Sequence, residues 1–331
     1  MKPLKYLFIS SMLFVATSCG NSWLDLEPST SVDTETSIKI LSDVEFTLNG
    51  IYSTMQSSDA YSGRLVYYGD VTGDDMQAVS STKRVANYYR FNFTKDDNPS
   101  SHWSYLYSII QNCNLILMNI DKLAIDEEDK AYRDDLKGEA LAIRGLALFD
   151  LTRIFGYPYL KDNGASLGVP IIEGLSTIDS KPTRNTVAQC YTKIIDDLTQ
   201  SISLLGEKFN KGKINKWGAM VLLSRVYLYK GENANALKMA GDAITGAEKN
   251  KYALWTNEDY PTAWGEDASA SKPGEVLFEI VNLTTDSPGK ESMGYLNSYD
   301  GYDDMCITCS FYQFLKEDPK DIRLKLLSFD K

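Results

Sequence analysis

The sequence is poor in the groups that carry most hydrolytic and metal chemistry. Among 331 residues it has one histidine, His102, and five cysteines. A single imidazole argues against His-rich metal sites and against Ser-His-Asp or Cys-His catalysis. Positive charge is also short: 34 Lys+Arg stand against 45 Asp+Glu, a net charge of −11. That balance argues against nucleic acid and against general attraction to anionic lipid. No stretch past the N-terminus reaches the roughly 18 apolar residues that a spanning helix needs. What remains, 43% hydrophobic and 24% charged, is the composition of a folded chain with a sizeable core. Tyrosine (21) outnumbers phenylalanine (12), and a hydroxylated ring has both a stacking face and a polar tip.

The first residues read as an address. Lys2 and Lys5 form a basic start, Leu7 to Ala16 is mostly apolar, and the small Thr17 and Ser18 precede Cys19. This is the order of a bacterial lipoprotein signal, with residues 1–18 removed and Cys19 acylated. An ordinary signal peptide with an incidental cysteine is the alternative. Gly20 rather than Asp follows, which points to the outer membrane, and several acyl chains together give stable anchoring. Residues 19–33 are then a polar, lipidated tether.

Apolar spacing of three and four predicts a mostly α protein with long irregular loops and a few short strands. Residues 34–331 are read as one domain. Helices are expected over Thr34–Met55, Ser101–Leu123, Asp126–Phe155, from an N-cap at Thr183 to about Leu205, over Lys213–Lys230 and Asn233–Ala247, and over Phe311–Lys316. A Gly/Pro loop fills 156–182. Residues 57–98 and 250–310 have loop composition, the second interrupted by a strand, Glu275–Val281. The pair around Gly231 fits a tetratricopeptide hairpin. Met220, Leu223, Ser224 and Tyr227 lie on its first helix, and the small Ala236, Ala240 and Ala243 on its second. Helical repeats over about 99–247 would then present the loops of 57–98 and 250–310.

Several segments together resemble the SusD/RagB nutrient-binding outer-membrane lipoproteins. They are Cys19 followed by Trp23-Leu24-Asp25 and Pro28; Trp103, Tyr107, Asn112 and Asn114; and the block from Gly138 through Glu139, Arg144 and Phe149 to Phe155-Gly156 and Pro158. Arg184, Thr186, Tyr191 and Asp197 follow, then Lys216–Tyr227, Glu275 with Phe278-Glu279, and Asp321 with Arg323. The match runs over essentially the whole chain in family order. Family members continue further, so the resemblance implies that the family's C-terminal part is lacking here. It also implies a SusD-like α-superhelix on the outer face of the outer membrane. There it would capture an oligosaccharide and deliver it to a TonB-dependent transporter. A peptide ligand, or a transporter-associated scaffold without ligand, are the alternatives.

A sugar ring has apolar C–H faces and equatorial hydroxyls, so its binder needs loop aromatics with Arg, Asn or Asp beside them. The two loop regions supply Arg84, Asn87, Tyr88 and Tyr89, and Trp264, Tyr295, Tyr299 and Tyr302, with Tyr61, Tyr67, Tyr68, Trp255 and Tyr260 nearby. In Tyr67-Tyr68 and Tyr88-Tyr89, extended neighbours would face opposite ways and leave one ring of each pair exposed. Trp103 and Tyr107 read as core, His102 as a surface or satisfied polar residue, and Glu139 and Arg144 as buried interhelical contacts. The pairs Asp74-Asp75, Asp96-Asp97 and Asp303-Asp304 lack EF-hand spacing and read as solvated loops, so calcium has no motif support and no cofactor is expected. Cys113 and Cys190 read as small core residues. Cys306 and Cys309 have redox spacing without a thioredoxin-type strand–helix context, leaving a local disulfide or two free thiols. No nucleophile–base pair can be named, so the expectation is a binder and not an enzyme.

Overall fold

Ile40 closes the first helix by a local exchange: its backbone N–H donates to Asp43 Oδ2 at 3.0 Å while the Asp43 N–H returns to its carbonyl. The computed structural model describes residues 37–327 except 95–99, 178, 209, 211, 265–273 and 284. Residues to Lys39 form one unit and Ile40 to Lys331 another, which holds every element named below. Residues 1–18, the tether with Cys19, and Asp96-Asp97 lie outside the described residues.

The described residues form eleven α-helices: α1 (Leu41–Met55), α2 (Arg64–Val71), α3 (Ala86–Tyr89), α4 (Ser100–Asn119), α5 (Lys130–Phe155), α6 (Val187–Leu204), α7 (Lys216–Lys230), α8 (Asn233–Lys249), α9 (Tyr260–Ala263), α10 (Met293–Asn297) and α11 (Cys309–Lys316). The strands β1 (Met76–Ala78) and β2 (Met305–Ile307) pair antiparallel, Met76 opposite Ile307. From α4 to α8 each helix packs on the next, and α1 covers α4 and α5. This is the expected stack of helical hairpins. Small residues set how closely the last pair approaches. A Cβ on Gly246 would lie 2.0 Å from the Trp217 ring, and Gly231 makes the turn at φ 83°. Ala236 and Ala243 are buried in the same contact, while Ala240 is half-buried.

Several boundaries differ from expectation for identifiable reasons. The first helix starts at Leu41, at the Asp43 cap, and residues 37–40 are not helical. Thr186, not Thr183, opens α6. Its hydroxyl accepts the Gln189 N–H at 3.2 Å, and Gln189 Oε1 accepts the Thr186 N–H at 2.9 Å, a reciprocal box that Thr183 has no partner to form. Asn215 opens α7 by accepting the N–H groups of Trp217 and Gly218. The 57–98 region, read as irregular with short strands, holds the strand β1 but also the helices α2 and α3. Glu275–Val281 is not a strand. No neighbouring backbone forms a ladder with it among the described residues, and its groups face side chains instead. Asn215 donates to the Leu277 carbonyl at 2.6 Å and Gln56 to that of Val281 at 3.0 Å. Phe278 packs 6.4 Å from the Tyr52 ring.

The helices are tied together by buried polar groups. Arg144 on α5 donates from Nε and Nη2 to Asp197 on α6, at 2.8 and 2.6 Å, and from Nη1 to Asn114 on α4 at 2.8 Å. Asn114 in turn donates to the carbonyls of Ile172 and Gly174, anchoring the Gly/Pro loop. Lys193 completes the network between Glu173 and Asp197. Trp103 and Tyr107 are half-buried and not fully core. Their rings meet at a tilt with centroids 4.9 Å apart, Trp103 meets Phe155, and Tyr107 donates to the Pro170 carbonyl. Cys113 and Cys190 are buried thiols, as expected.

Glu139, 4% exposed, accepts from Tyr52 at 2.8 Å, and Tyr52 accepts from the Ile214 N–H at 2.9 Å. Burial pushes the Glu139 carboxyl up to about 7.

Both polar sites make testable demands. Asp197→Ala leaves Arg144 buried without its partner and is expected to cost about 3–5 kcal/mol in urea unfolding; a loss below about 1 kcal/mol would contradict the role given to this bridge. For Glu139 the folded protein holds a proton that the unfolded chain releases near pH 4.5. Stability therefore falls as pH rises from about 4.5 to about 7 and then levels. Glu139→Gln is expected to remove on the order of 3 kcal/mol of that decline, read as the difference between wild-type and variant stability at pH 5 and pH 8; parallel curves would contradict it.

Candidate functional site

The β1–β2 ladder joins the two aromatic loop regions across more than two hundred residues of chain. Its strands are too short to stand alone, so they are held by a small apolar core of Tyr67, Val71, Val85, Leu296 and Met305. Tyr88, Met293 and Tyr302 pack on the rim of that core. Seven of the predicted site residues gather here: Asn87, Tyr88 and Tyr89 on α3, Tyr295 on α10, and Arg84, Tyr299 and Tyr302 on the adjoining turns.

Their roles divide by exposure. The Arg84 guanidinium lies over the Tyr302 ring at 3.8 Å, and Tyr302 meets Tyr295 edge-on at 5.1 Å. Arg84 is held in place by Glu291 at 2.7 Å and by the buried Asp304 at 3.4 Å. Asp304 is thus not a solvated loop acid, and one face of Tyr302 is already covered. Lys83 donates to the Tyr302 carbonyl at 2.6 Å and lies 3.8 Å from Asp303. Tyr299 is different. It is 69% exposed at the tip of a turn whose backbone is closed by bonds from Gly301 and Asp303 to the Ser298 carbonyl and from Tyr302 to that of Tyr295. A large open ring on a rigid turn is the stacking surface that a sugar face requires.

The Tyr pairs sit on helices, not on extended chain. Tyr67 and Tyr68 belong to α2, where Tyr67 is buried, and burial pushes its hydroxyl up to about 12. Tyr88 is half-buried on α3, edge-on to Tyr68 at 5.4 Å, while Tyr89 is 38% exposed. Phe91 and Phe93, which sequence reasoning passed over, continue this aromatic surface. Phe91 holds a left-handed φ of 53°, fixed by its N–H on the Tyr88 carbonyl. His102, expected as a surface or satisfied polar residue, is buried. Its Nδ1 lies 3.3 Å from the Asp59 carbonyl, Nε2 has no hydrogen-bond partner among the described residues, and burial lowers its pKa.

Trp264 stands apart, in ring contact with Trp255 and Tyr260 around α9. Cys306 on β2 and Cys309 at the start of α11 are free thiols. A strand and a helix do flank them, contrary to expectation, but the sheet is a two-stranded antiparallel ladder.

A cleft of about 660 Å³ also opens between α2, α5, α7 and residues 275–278. Leu65, Leu146, Leu222 and Phe278 supply apolar wall. Part of its polar lining is self-paired: Asp150 accepts from Tyr61 at 2.8 Å and binds Arg153, whose guanidinium lies over Phe149, while Arg225 also lines the cleft. Of the tyrosines in the first aromatic region, Tyr61 and Tyr68 line it. Among the described residues no group of three or more His, Cys, Asp or Glu could hold a metal ion.

The model of the SusD-like family described as starch-binding and associating with the outer membrane matches residues 22–228, more than half the chain. The chain belongs to the SusD-like family. SusD-like protein P2 of Formosa agariphila is 28% identical over 91% of this chain and 57% of its own length. A crystal structure from Bacteroides vulgatus is 82% identical with a TM-score of 0.87, over 89% of this chain and 66% of that one. A SusD superfamily protein from Bacteroides thetaiotaomicron is 38% identical with a TM-score of 0.80, over 87% and 64%. The chain therefore spans about half the length of the curated relatives it matches, and just under two thirds of these solved ones.

The Arg84 arrangement predicts a local stability effect. Arg84→Gln unpairs the buried Asp304 and is expected to cost about 1 kcal/mol after allowance for the exposure of Arg84. Arg90→Gln, on an exposed neighbour, should change stability by less than about 0.5 kcal/mol. Equal effects in thermal unfolding would remove the bracing role of Arg84.

Proposed function

We propose that this SusD-like chain captures a glycan at the cell surface on the platform around Tyr299 and hands it to a TonB-dependent outer-membrane transporter. The observation that carries the reading is the open face of Tyr299 on a rigid turn, a few residues from the Arg84–Glu291–Asp304 cluster. The ring offers stacking to the sugar's C–H face, and the charged groups offer partners to its hydroxyls. Tyr89 and the braced Tyr295–Tyr302 pair extend the surface. Cys19 anchors the chain to the outer membrane through its lipid. The acidic net charge suits a neutral ligand better than a polyanion. The protein acts as a binder, without catalysis and without a metal.

Calorimetric titration of the chain from Gly20 onward, against a panel of plant and host oligosaccharides, tests the reading. Saturable binding is expected, weakened about two- to tenfold in Tyr299→Ala, the range of one aromatic stacking contact. A folded protein that binds none of the sugars but takes up peptides supports the peptide-binding alternative. Binding to neither supports the scaffold.

A further inference from the structure

Trp255, Tyr260 and Trp264 form a closed set of edge-to-face contacts, with centroids 5.1, 5.6 and 6.2 Å apart. None of these contacts reaches the rings of the Tyr299 platform. The set is mounted firmly. Thr256 and Asp259 exchange side-chain and backbone bonds at the start of α9, and Tyr260 and Ala263 donate back to Thr256 and Asp259. Trp255 is pinned at its indole nitrogen by Gly274, where φ is 56° and a Cβ would lie 2.4 Å away. Its backbone N–H donates to Glu275. A core-filling role would bury these rings, yet Trp264 is 57% exposed.

Polar residues lie on the neighbouring segments. Glu258 and Asp259 are exposed beside α9, and the turn Ile322–Leu326, carrying Arg323, packs against that helix. Trp264 and the exposed Leu254 present open apolar surface, with the Glu258 carboxylate on the same segment and Arg323, bonded to Asp321, on the turn packed against α9. The open indole offers the C–H face of a sugar the same kind of stacking surface as the Tyr299 turn.

We infer that the Trp255–Tyr260–Trp264 cluster is a second, independent glycan platform, engaged by chains long enough to reach past the Tyr299 site. The inference rests on the glycan reading above. Two platforms on one chain make the second contact intramolecular, so a polymer gains affinity that a short oligomer does not.

The test compares laminarin with laminaritriose and amylopectin with maltotriose, by affinity electrophoresis for the polymers and calorimetry for the trisaccharides. Trp264→Ala, verified as folded by circular dichroism, should keep trisaccharide affinity and lose about two- to tenfold in polymer affinity. Trp264→Phe should recover part of that loss. Tyr299→Ala should weaken both. Unchanged polymer affinity in Trp264→Ala overturns the second platform and leaves the glycan reading standing. An equal loss for trisaccharide and polymer overturns its independence. If the wild-type protein binds no sugar of this set or of the wider oligosaccharide panel, both readings fall.

Discussion

The buried Arg144–Asp197 bridge is the joint on which the rest of the molecule depends. A guanidinium and a carboxylate taken from water are costly unless every donor and acceptor is matched. Here the fork of Arg144 meets both Asp197 oxygens and Asn114, and Asn114 passes the bond to the loop carbonyls of Ile172 and Gly174. Three helices and one long loop are thereby held in a single register. Hydrophobic packing alone tolerates sliding of helix on helix, whereas this network has one satisfied geometry.

On that frame the loops acquire shape. Residues 57–98 and 285–316 have little core of their own, and a three-residue ladder is marginal in water. They become a surface because Tyr67, Val71, Leu296 and Met305 bury one another beneath the ladder. The aromatics then sort by position. Those over the core, such as Tyr67 and Tyr302, are packed or braced, while Tyr299 at the tip of its turn stays open. The candidate site is the part of this small core that its own packing leaves uncovered.

Much of the helical frame was legible in the sequence, because α4 to α8 are long enough for apolar spacing to repeat. The role of Arg144 and Glu139 as interhelical polar contacts was legible too, from charged residues on an otherwise apolar face. The short elements were not. Helices as short as α3 have no period to read, and the pairing of Met76 with Ile307 leaves no local mark. Glu275–Val281 carries strand residues but meets side chains of Gln56 and Asn215 instead of a ladder, a tertiary outcome that propensity cannot express. Thr183 and Thr186 look alike as caps until Gln189 chooses between them. Between the surface and the satisfied polar alternatives for His102 the sequence could not choose, because a polar residue next to Trp103 gives no sign of which way the helix turns it. Seven of the eight candidate site residues lie around the place where the two loops meet. Trp264 was grouped by sequence order and belongs to a different cluster.

The most direct test of the central claim is a crystal structure of the chain with a bound oligosaccharide chosen from the titration panel. The account predicts a sugar ring stacked on Tyr299, with its hydroxyls near Arg84 or Glu291. A sugar seated instead in the cleft between α2, α5 and α7, with Tyr299 bare, would contradict it.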